Sequence, residues 1–510
     1  MAIWDRLKTT FGGGGGNRMN GLKTIFDHER ISFNADEVDR VKDSFRIYSG
    51  IYDEVAYVNS YGEIMKRPYV TLNMMNEVAR HMGSILYNEQ CEISFKEGSI
   101  DEAFITHILE HNNFNKNFAQ YIQVMLATGG LAVKPYYDAA TGEIEFSWIL
   151  ADTFIPLHSN SNAIAEAVVT SSSQVTEGRK TIYYTLLEFH EWHEGGIYAI
   201  SNELYRSEYD DEIGERVPLE VLYDGLAEVT VYQNFSRPNF AYLKPYGFNN
   251  ISPQSPLGLG ICDNAKNTLE QINNAYDQYY WEIRQGKRRV IVSDHFMRTR
   301  IDPEGRPVHY FDGETDVYLA LPAGIDNMQY KDITSDIRSQ QYIESINKFV
   351  STLEMQTGLS AGTFTFDGKS MKTATEVVSE DSATYRTRNS HLANVEQFIQ
   401  ELIISTCELA RETYGTTGAP LYTGNIPKKE DVIVDFDDGV FLSKDSELKF
   451  WVTAAQAKLA PLQEAIMRVH NLSEDEAAEW LAKIKQEQLV DDPYLLDKLA
   501  ESSLLGDYKE

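Results

Sequence analysis

The segment Gly362-Thr-Phe-Thr-Phe-Asp-Gly368-Lys369-Ser370 holds the residue types that wrap phosphate oxygens in a nucleotide-binding loop. Its spacing is wrong for that chemistry. Such a loop leaves four residues between its first glycine and the Gly-Lys pair, and this one leaves five. The residues before it have helical periodicity, whereas a phosphate loop follows a strand whose end aims backbone amides at the anion. No second strand supplies an aspartate for magnesium. A nucleotide-dependent enzyme acting on nucleic acid is therefore the alternative reading, and it rests on this near miss alone.

Other constellations fall short in similar ways. His107 and His111 stand four apart, which puts two imidazoles on one face of a helix, but no third metal ligand accompanies them. In His190-Glu-Trp-His193-Glu the second histidine comes one place too early for a zinc-protease helix, and strand alternation fits better. Asp435-Phe-Asp437-Asp438-Gly439 echoes a calcium loop, with glycine at the fifth place and Ser446 where the closing glutamate belongs. Cys91, Cys262 and Cys407 are too scattered for a disulfide framework or a metal cluster and suit a reducing compartment. No serine elbow, cysteine nucleophile or carboxylate pair stands out. No catalysis, metal or cofactor is expected.

What remains is Lys369 and Lys372, with Arg386 and Arg388 farther along. A few cations beside a passage would touch phosphates weakly and reversibly, because affinity climbs steeply with the number neutralised. The plainer alternative pairs them with Asp367, Glu376, Glu380 or Asp381 on neighbouring turns or subunits.

The element carrying these cations is long. From Lys369 to Tyr414 the chain runs 46 residues without glycine or proline, about 69 Å if wholly helical. Its second half repeats apolar residues at Val395, Phe398, Ile399, Leu402, Ile403, Leu409 and Ala410, predicting one buried face. The stretch from Ser379 to Asn394 is polar almost all round, which predicts a helix that bridges wet space or lines it.

Composition sets the limits. With 510 residues, 42% of them hydrophobic and 12% aromatic, the chain can build several folded domains. Its 77 acidic and 46 basic side chains leave a net charge of −31, which argues against ordinary nucleic-acid binding through a basic face. An acidic wall around a passage would instead repel a duplex over about 8–10 Å and keep it centred. Solubility is the plainer reading of the charge. No apolar run is long enough for a membrane span, and the opening Met-Ala-Ile-Trp-Asp-Arg-Leu-Lys lacks the apolar core of a secretory signal. Ile3, Trp4, Leu7 and Phe11 make a short amphipathic piece before the flexible run Gly12 to Gly16.

In chain order, Leu72, Met75, Val78, Ala79, Met82, Ile85 and Leu86 predict an amphipathic helix, with two more over 101–111 and 114–127. Gly129-Gly130 stops that pattern. Strands follow at 131–137, 143–149 and 163–173, then a hairpin of 181–190 and 197–204 turning at Gly195-Gly196. The run from Glu208 to Glu215 reads as a solvated acidic loop. Ser255-Pro256 signals a helix start, and Ala265, Leu269, Ile272, Tyr276, Tyr279 and Ile283 give a narrow stripe ending at Gly286. Between 287 and 332 lies a small β-rich unit with a basic run, Lys287, Arg288, Arg289, Arg298 and Arg300. Ile337, Ile343, Ile346, Val350 and Leu353 predict a second helix ended by Gly358. Two helices flanking a β unit make an out-and-back topology. A strand at 431–436 and a helical end with a capping box at Ser473/Glu476 complete the chain.

The run TFTFDGKSMKTATEVVSEDSATYRTRNSH (363–391) resembles the tunnel loop and following long helix of bacteriophage portal proteins, in the group carried by long-tailed phages of Gram-positive bacteria. LNMMNEVARHMGSILYNEQCEI (72–93), GGLAVKPYYD (129–138) and SPLGLGICDNAKNTLEQINNAYDQYYWEIRQGKRRV (255–290) resemble the same family in collinear order. The similarity spans roughly residues 20 to 450.

The resemblance implies an α+β, multidomain portal architecture of wing, stem, clip and crown with a long helix beside the tunnel. Its parts would be a flexible tail (1–19), wing (20–254), stem helix (255–286), clip (287–332), returning stem helix (333–358), tunnel loop (359–372), long helix (373–414), wing return strand (415–442) and crown (443–510). It implies a ring of about twelve copies at one capsid vertex, through which double-stranded DNA is packaged and ejected. Thr363, Phe364, Phe366, Asp367, Gly368, Lys369, Ser370 and Lys372 would then meet DNA, with Arg386 and Arg388 on the channel side of the long helix. The five basic clip residues would dock the terminase motor and later head-completion (connector) proteins. Scaffold and major capsid protein are further implied partners, with assembly in the host cytoplasm and residence in the virion.

Overall fold

The computed structural model describes residues 21–286, 290–291, 298–301, 305–310, 331–332, 336–364, 382–436, 444–470 and 477–484, apart from 59–61, 89–90, 97, 99, 161–162, 416–417, 458 and 479. The tail 1–19 and the capping box at Ser473/Glu476 lie outside the described residues.

Helix α1 (Ala35–Tyr48) starts where the Asn34 side chain accepts the Asp36 amide, and it buries Val38 and Val41. A two-stranded ribbon, β1 (Val55–Val58) with β2 (Ile64–Arg67), follows. Helix α2 (Met74–Leu86) buries Met75, Val78, Ala79, Met82 and Leu86, the predicted stripe. After β3 (Glu92–Phe95) come α3 (Glu102–His111) and α4 (Phe114–Thr128). Helix α4 ends at Gly129, whose φ of 92° is left-handed and open to glycine at little steric cost.

The sheets agree with the alternation in the sequence. Strands β4 (Leu131–Asp138) and β5 (Glu143–Leu150) pair antiparallel. Then β6 (Phe154–Ser159), β7 (Ile164–Glu177), β8 (Lys180–His193), β9 (Ile197–Ser207) and β10 (Glu215–Val217) form a meander, with β11 (Val229–Tyr232) also on β9. Gly195 and Gly196, both at positive φ, turn the β8–β9 hairpin. Strand β12 (Ala241–Leu243) returns to β4, giving the order β12-β4-β5.

Helix α5 (Lys266–Gln285) begins ten residues after Pro256, so the Ser255-Pro256 signal does not mark its start. The reason is close backbone packing. Ile261 donates its amide to the Leu126 carbonyl at 2.7 Å, and a Cβ on Gly260 would lie 2.1 Å from the Ala127 carbonyl oxygen. That contact keeps the chain out of helix until Asp263, whose carboxylate takes the Gly260 amide at 2.8 Å and opens a short 3-10 turn into the helix.

Strands β13 (Val290–Ile291), β14 (Arg298–Ile301), β15 (Pro307–Tyr310) and β16 (Lys331–Asp332) pair β13 with β16 and β14 with β15. Helix α6 (Ser339–Thr357) then runs back along α5. Arg338 grips Glu282 through two nitrogens at 2.7 and 3.2 Å, and Tyr279 stacks on Tyr342 at 5.3 Å. The end of one helix thus meets the start of the other, an antiparallel out-and-back pair. The Arg338 bonds hold the Glu282 carboxyl down at about 2.

Helix α7 (Ser382–Glu412) passes through the largest core. Val395, Phe398, Ile399 and Leu402 pack there with Met82 of α2 and Phe118, Ile122 and Leu126 of α4, and Phe118 stacks on Phe398 at 5.4 Å. Strand β17 (Val432–Asp435) pairs antiparallel with the distant β3. Helices α8 (Lys444–Gln456) and α9 (Leu462–His470) follow. Among the described residues no helix is long and apolar enough to cross a membrane.

Candidate functional site

Of the residues singled out from sequence, Thr363, Phe364, Arg386 and Arg388 lie close to where α6 ends and α7 begins. Gly358 closes α6 at φ 73°, and Leu359 donates back to the Glu354 carbonyl at 2.8 Å, a Schellman-type ending. The Glu354 side chain is 0% exposed. Its carboxylate turns toward the departing segment and accepts the Gly362 amide at 2.9 Å and the Phe364 amide at 2.7 Å. A buried charge without such donors would be costly, and these two bonds are charge-assisted.

The opposite side of the segment is fastened to α7. Ser360 gives its amide to Thr384 Oγ1 at 2.8 Å, and Thr384 returns its own amide to Ser360 Oγ at 3.3 Å. Thr387 donates its hydroxyl to the Gly358 carbonyl at 2.7 Å. Thr363 bonds back to the Ser360 carbonyl at 2.7 Å, and the Phe364 ring meets His81 of α2 edge-on at 5.6 Å. Thr363 and Phe364, expected on the tunnel loop, are therefore half-buried parts of its root. Phe366, Asp367, Gly368, Lys369, Ser370 and Lys372 lie outside the described residues.

The polar stretch leading into α7 departs from expectation. It does not stand in solvent on every side: Thr384, Arg388 and His391 form a buried face at steps of four and three. Arg388, expected on the channel side, is 1% exposed and donates to the Ile85 carbonyl at 2.7 Å. A cation at the last turn of α2 satisfies a carbonyl left open there and complements the helix dipole. His391 Nδ1 accepts the Tyr246 amide at 3.0 Å, and burial pushes this imidazole down to about 4. Asn394 donates to the Lys244 carbonyl at 3.0 Å. Hydrophobic periodicity misses this face because its partners are polar groups distant in the chain, among them the Ile85 carbonyl and the Tyr246 amide. Arg386 lies on the exposed side of the same helix.

Glu354 was missed in the sequence, although a signal existed. It falls four residues after Val350, on the apolar stripe through Ile346, Val350 and Leu353, where an acid has to be paired or bonded.

The other candidates separate cleanly. Gly362 follows a helix, so the near-miss phosphate loop lacks its strand. His107 and His111 each meet a glutamate of β5, Glu143 at 3.3 Å and Glu145 at 2.9 Å. His190 is fully buried: Nε2 donates to Glu188 at 2.6 Å, and Nδ1 accepts from the Tyr198 hydroxyl at 2.8 Å. Among the described residues no three metal-ligating side chains converge. Arg298 and Arg300 belong to β14, which pairs with β15. Lys287, Arg288 and Arg289 lie outside the described residues, as do Asp437 and Asp438.

With this geometry in view, the family model described as "Phage portal protein, SPP1 Gp6-like" matches residues 27–489. The chain belongs to the phage portal protein family. As a portal protein it forms the channel for packaging and ejecting DNA at the capsid, in a family that is structural. It is similar to a chain in the neck of an empty gene transfer agent (GTA) particle determined with C6 symmetry, at 11% identity and a TM-score of 0.41, over 88% of this chain and 97% of that one. It is also similar to a chain in the virion of a native gene transfer agent particle, at 11% identity and a TM-score of 0.32, over 92% and 99%. No curated protein matches it.

Proposed function

We propose that this portal protein works as a ring of about twelve copies, with the tunnel loop 359–372 meeting the passing duplex. The observation that carries the reading is the root of that segment, held by Glu354 on one side and by Thr384 and Thr387 on the other. A loop pushed by moving DNA needs a fixed base. Lys369 and Lys372 supply two cations in a chain of net charge −31, enough for sliding contact without strong adhesion. Arg386, exposed near the start of α7, supplies a third.

In this reading the unit 287–332 docks the terminase during packaging and connector proteins afterwards. The ATP-driven work belongs to the terminase, and the portal has no catalysis of its own. Scaffold and coat protein join it during assembly in the host cytoplasm. The wing, stem, clip and crown boundaries given above describe the subunit.

The test is the double charge reversal Lys369→Glu with Lys372→Glu. Negative-stain images and native mass should show rings like those of the parent, while packaged DNA falls sharply. Loss of rings instead would mean that these lysines hold subunits together, and the sliding role would be withdrawn. ATP turnover by purified protein, abolished by Lys369→Ala, would replace the channel loop with an enzyme.

A further inference from the structure

A two-stranded ribbon is marginal by itself, and the β1–β2 ribbon is pinned to α5. Arg67 grips Asp277 through two guanidinium nitrogens, both at 2.6 Å, and lies over the Trp281 ring at 4.7 Å. Tyr57 meets the same ring at 5.0 Å. Side chains alternate along each strand, so the face away from Tyr57 and Arg67 carries Ala56, Val58, Ile64 and Lys66. Val58 and Ile64 stand directly across from each other, 67% and 77% exposed. An apolar pair on a fixed, outward face is a surface that only a partner can cover.

Helix α6 lies on the other side of α5. Asp277 and Trp281 stand two residues either side of Tyr279, which stacks on Tyr342 of α6 at 5.3 Å. Two residues amount to about 160° around a helix. Glu344, two residues beyond Tyr342, therefore sits on the side of α6 away from α5. It is exposed, and Ile343 beside it is 42% exposed. Ribbon, α5 and α6 thus form a row, with Val58, Ile64 and Lys66 at one end and Ile343 and Glu344 at the other.

We propose that the ribbon of one copy packs against α6 of the next copy in the ring, Val58 and Ile64 on Ile343, and Lys66 against Glu344. The contact rests on the ring reading given above. A head-to-tail ring joins opposite flanks of identical subunits, and the two ends of this row are unlike and complementary. Charge singles out a second copy as the occupant. With 77 acids against 46 bases the copies repel one another, so they meet best where acids are sparse. The outward face of the two strands has one cation and no acid, and it suits an acidic neighbour.

The test compares parent and variant rings by native mass and negative stain across a dilution series. Val58→Asp with Ile64→Asp should leave the thermal melt of separated subunits unchanged and raise the concentration for half-assembly about tenfold or more. Lys66→Glu should raise it about threefold, and Glu344→Lys in the same chain should restore it. This second pair keeps the test open should the double aspartate variant misfold. Ile64→Cys with Glu344→Cys, treated with a short bismaleimide, should link each copy to the next in a ladder of multimers, since Cys91, Cys262 and Cys407 are buried. A parent that forms no rings removes the ring reading and this contact with it. Parent rings with half-assembly unchanged in both sets of variants, or cross-links confined to single subunits, overturn this contact alone. Variant rings that form normally but fail to enter capsids would assign the ribbon to another virion protein, and would overturn it too.

Discussion

The carboxylate of Glu354 accepts the backbone amide of Phe364 at 2.7 Å from a position with no solvent exposure. A side chain from the last turn of one helix thus fixes a backbone ten residues later, where the chain leaves α6.

Glu354→Gln tests that anchor. The amide keeps one acceptor oxygen and turns an N–H₂ toward an N–H, so one of the two bonds is lost at a cost of about 2 kcal/mol. Hydrogen exchange should quicken at the amides of Gly362 and Phe364 and stay unchanged at Phe398. Unchanged exchange at both amides would remove Glu354 from this role.

Gly358 allows the same corner. Its φ is 73°, and a Cβ there would lie 2.4 Å from Thr387 Oγ1. Gly358→Ala combines left-handed strain with displacement of the Thr387 hydroxyl, and should destabilise the subunit by roughly 2 kcal/mol in denaturant unfolding. Thr387→Ala in the same background relieves the clash, so it should add less than it costs alone.

Arg388 separates burial from channel contact. Arg388→Gln should lower the melting temperature, since it removes a buried guanidinium from the Ile85 carbonyl at an expected cost of about 3 kcal/mol. Arg386→Gln, on the exposed side, should leave the melt within about 0.5 kcal/mol. If Arg388→Gln folds as well as the parent yet loses packaging, its burial in the subunit is not what it contributes.

The pH dependence follows from His391. Its folded pKa of about 4 lies below the ordinary value of 6.5, so the folded state resists protonation. The stability this contributes is fully present above 6.5 and is lost as pH falls toward 4. Between about pH 7 and pH 5 the loss should approach roughly 2 kcal/mol. His391→Gln, which keeps an acceptor for the Tyr246 amide, should flatten that slope. A residual slope is expected from His190, whose pKa burial also lowers. Carboxylates such as Glu203, held at about 2 in the fold, titrate below this window.

Periodicity made most of the scaffold readable. The α2 stripe from Met75 to Leu86, the Gly129 stop and the Gly195-Gly196 turn all lie where apolar spacing and turn residues put them. Three features were not readable, each for a physical reason. The α5 start depends on Gly260 touching the α4 carbonyls, a contact between distant backbones. The buried face of Thr384, Arg388 and His391 is polar, so a pattern built on hydrophobicity registers it as solvent-facing. Glu354 stands on the apolar stripe of α6, but its partners, the Gly362 and Phe364 amides, belong to a non-helical segment that periodicity does not place.

Strand β17 closes on β3 across more than three hundred residues, joining Val432 to Phe95 and Asp435 to Glu92. During synthesis, β3 therefore waits with an open edge until the ribosome has delivered helices α3 to α7 and the strands between them. Closure over so great a sequence distance is slow, and a waiting edge invites the wrong strand. Newly made chains are at their most vulnerable in that interval, before β17 can zip onto β3.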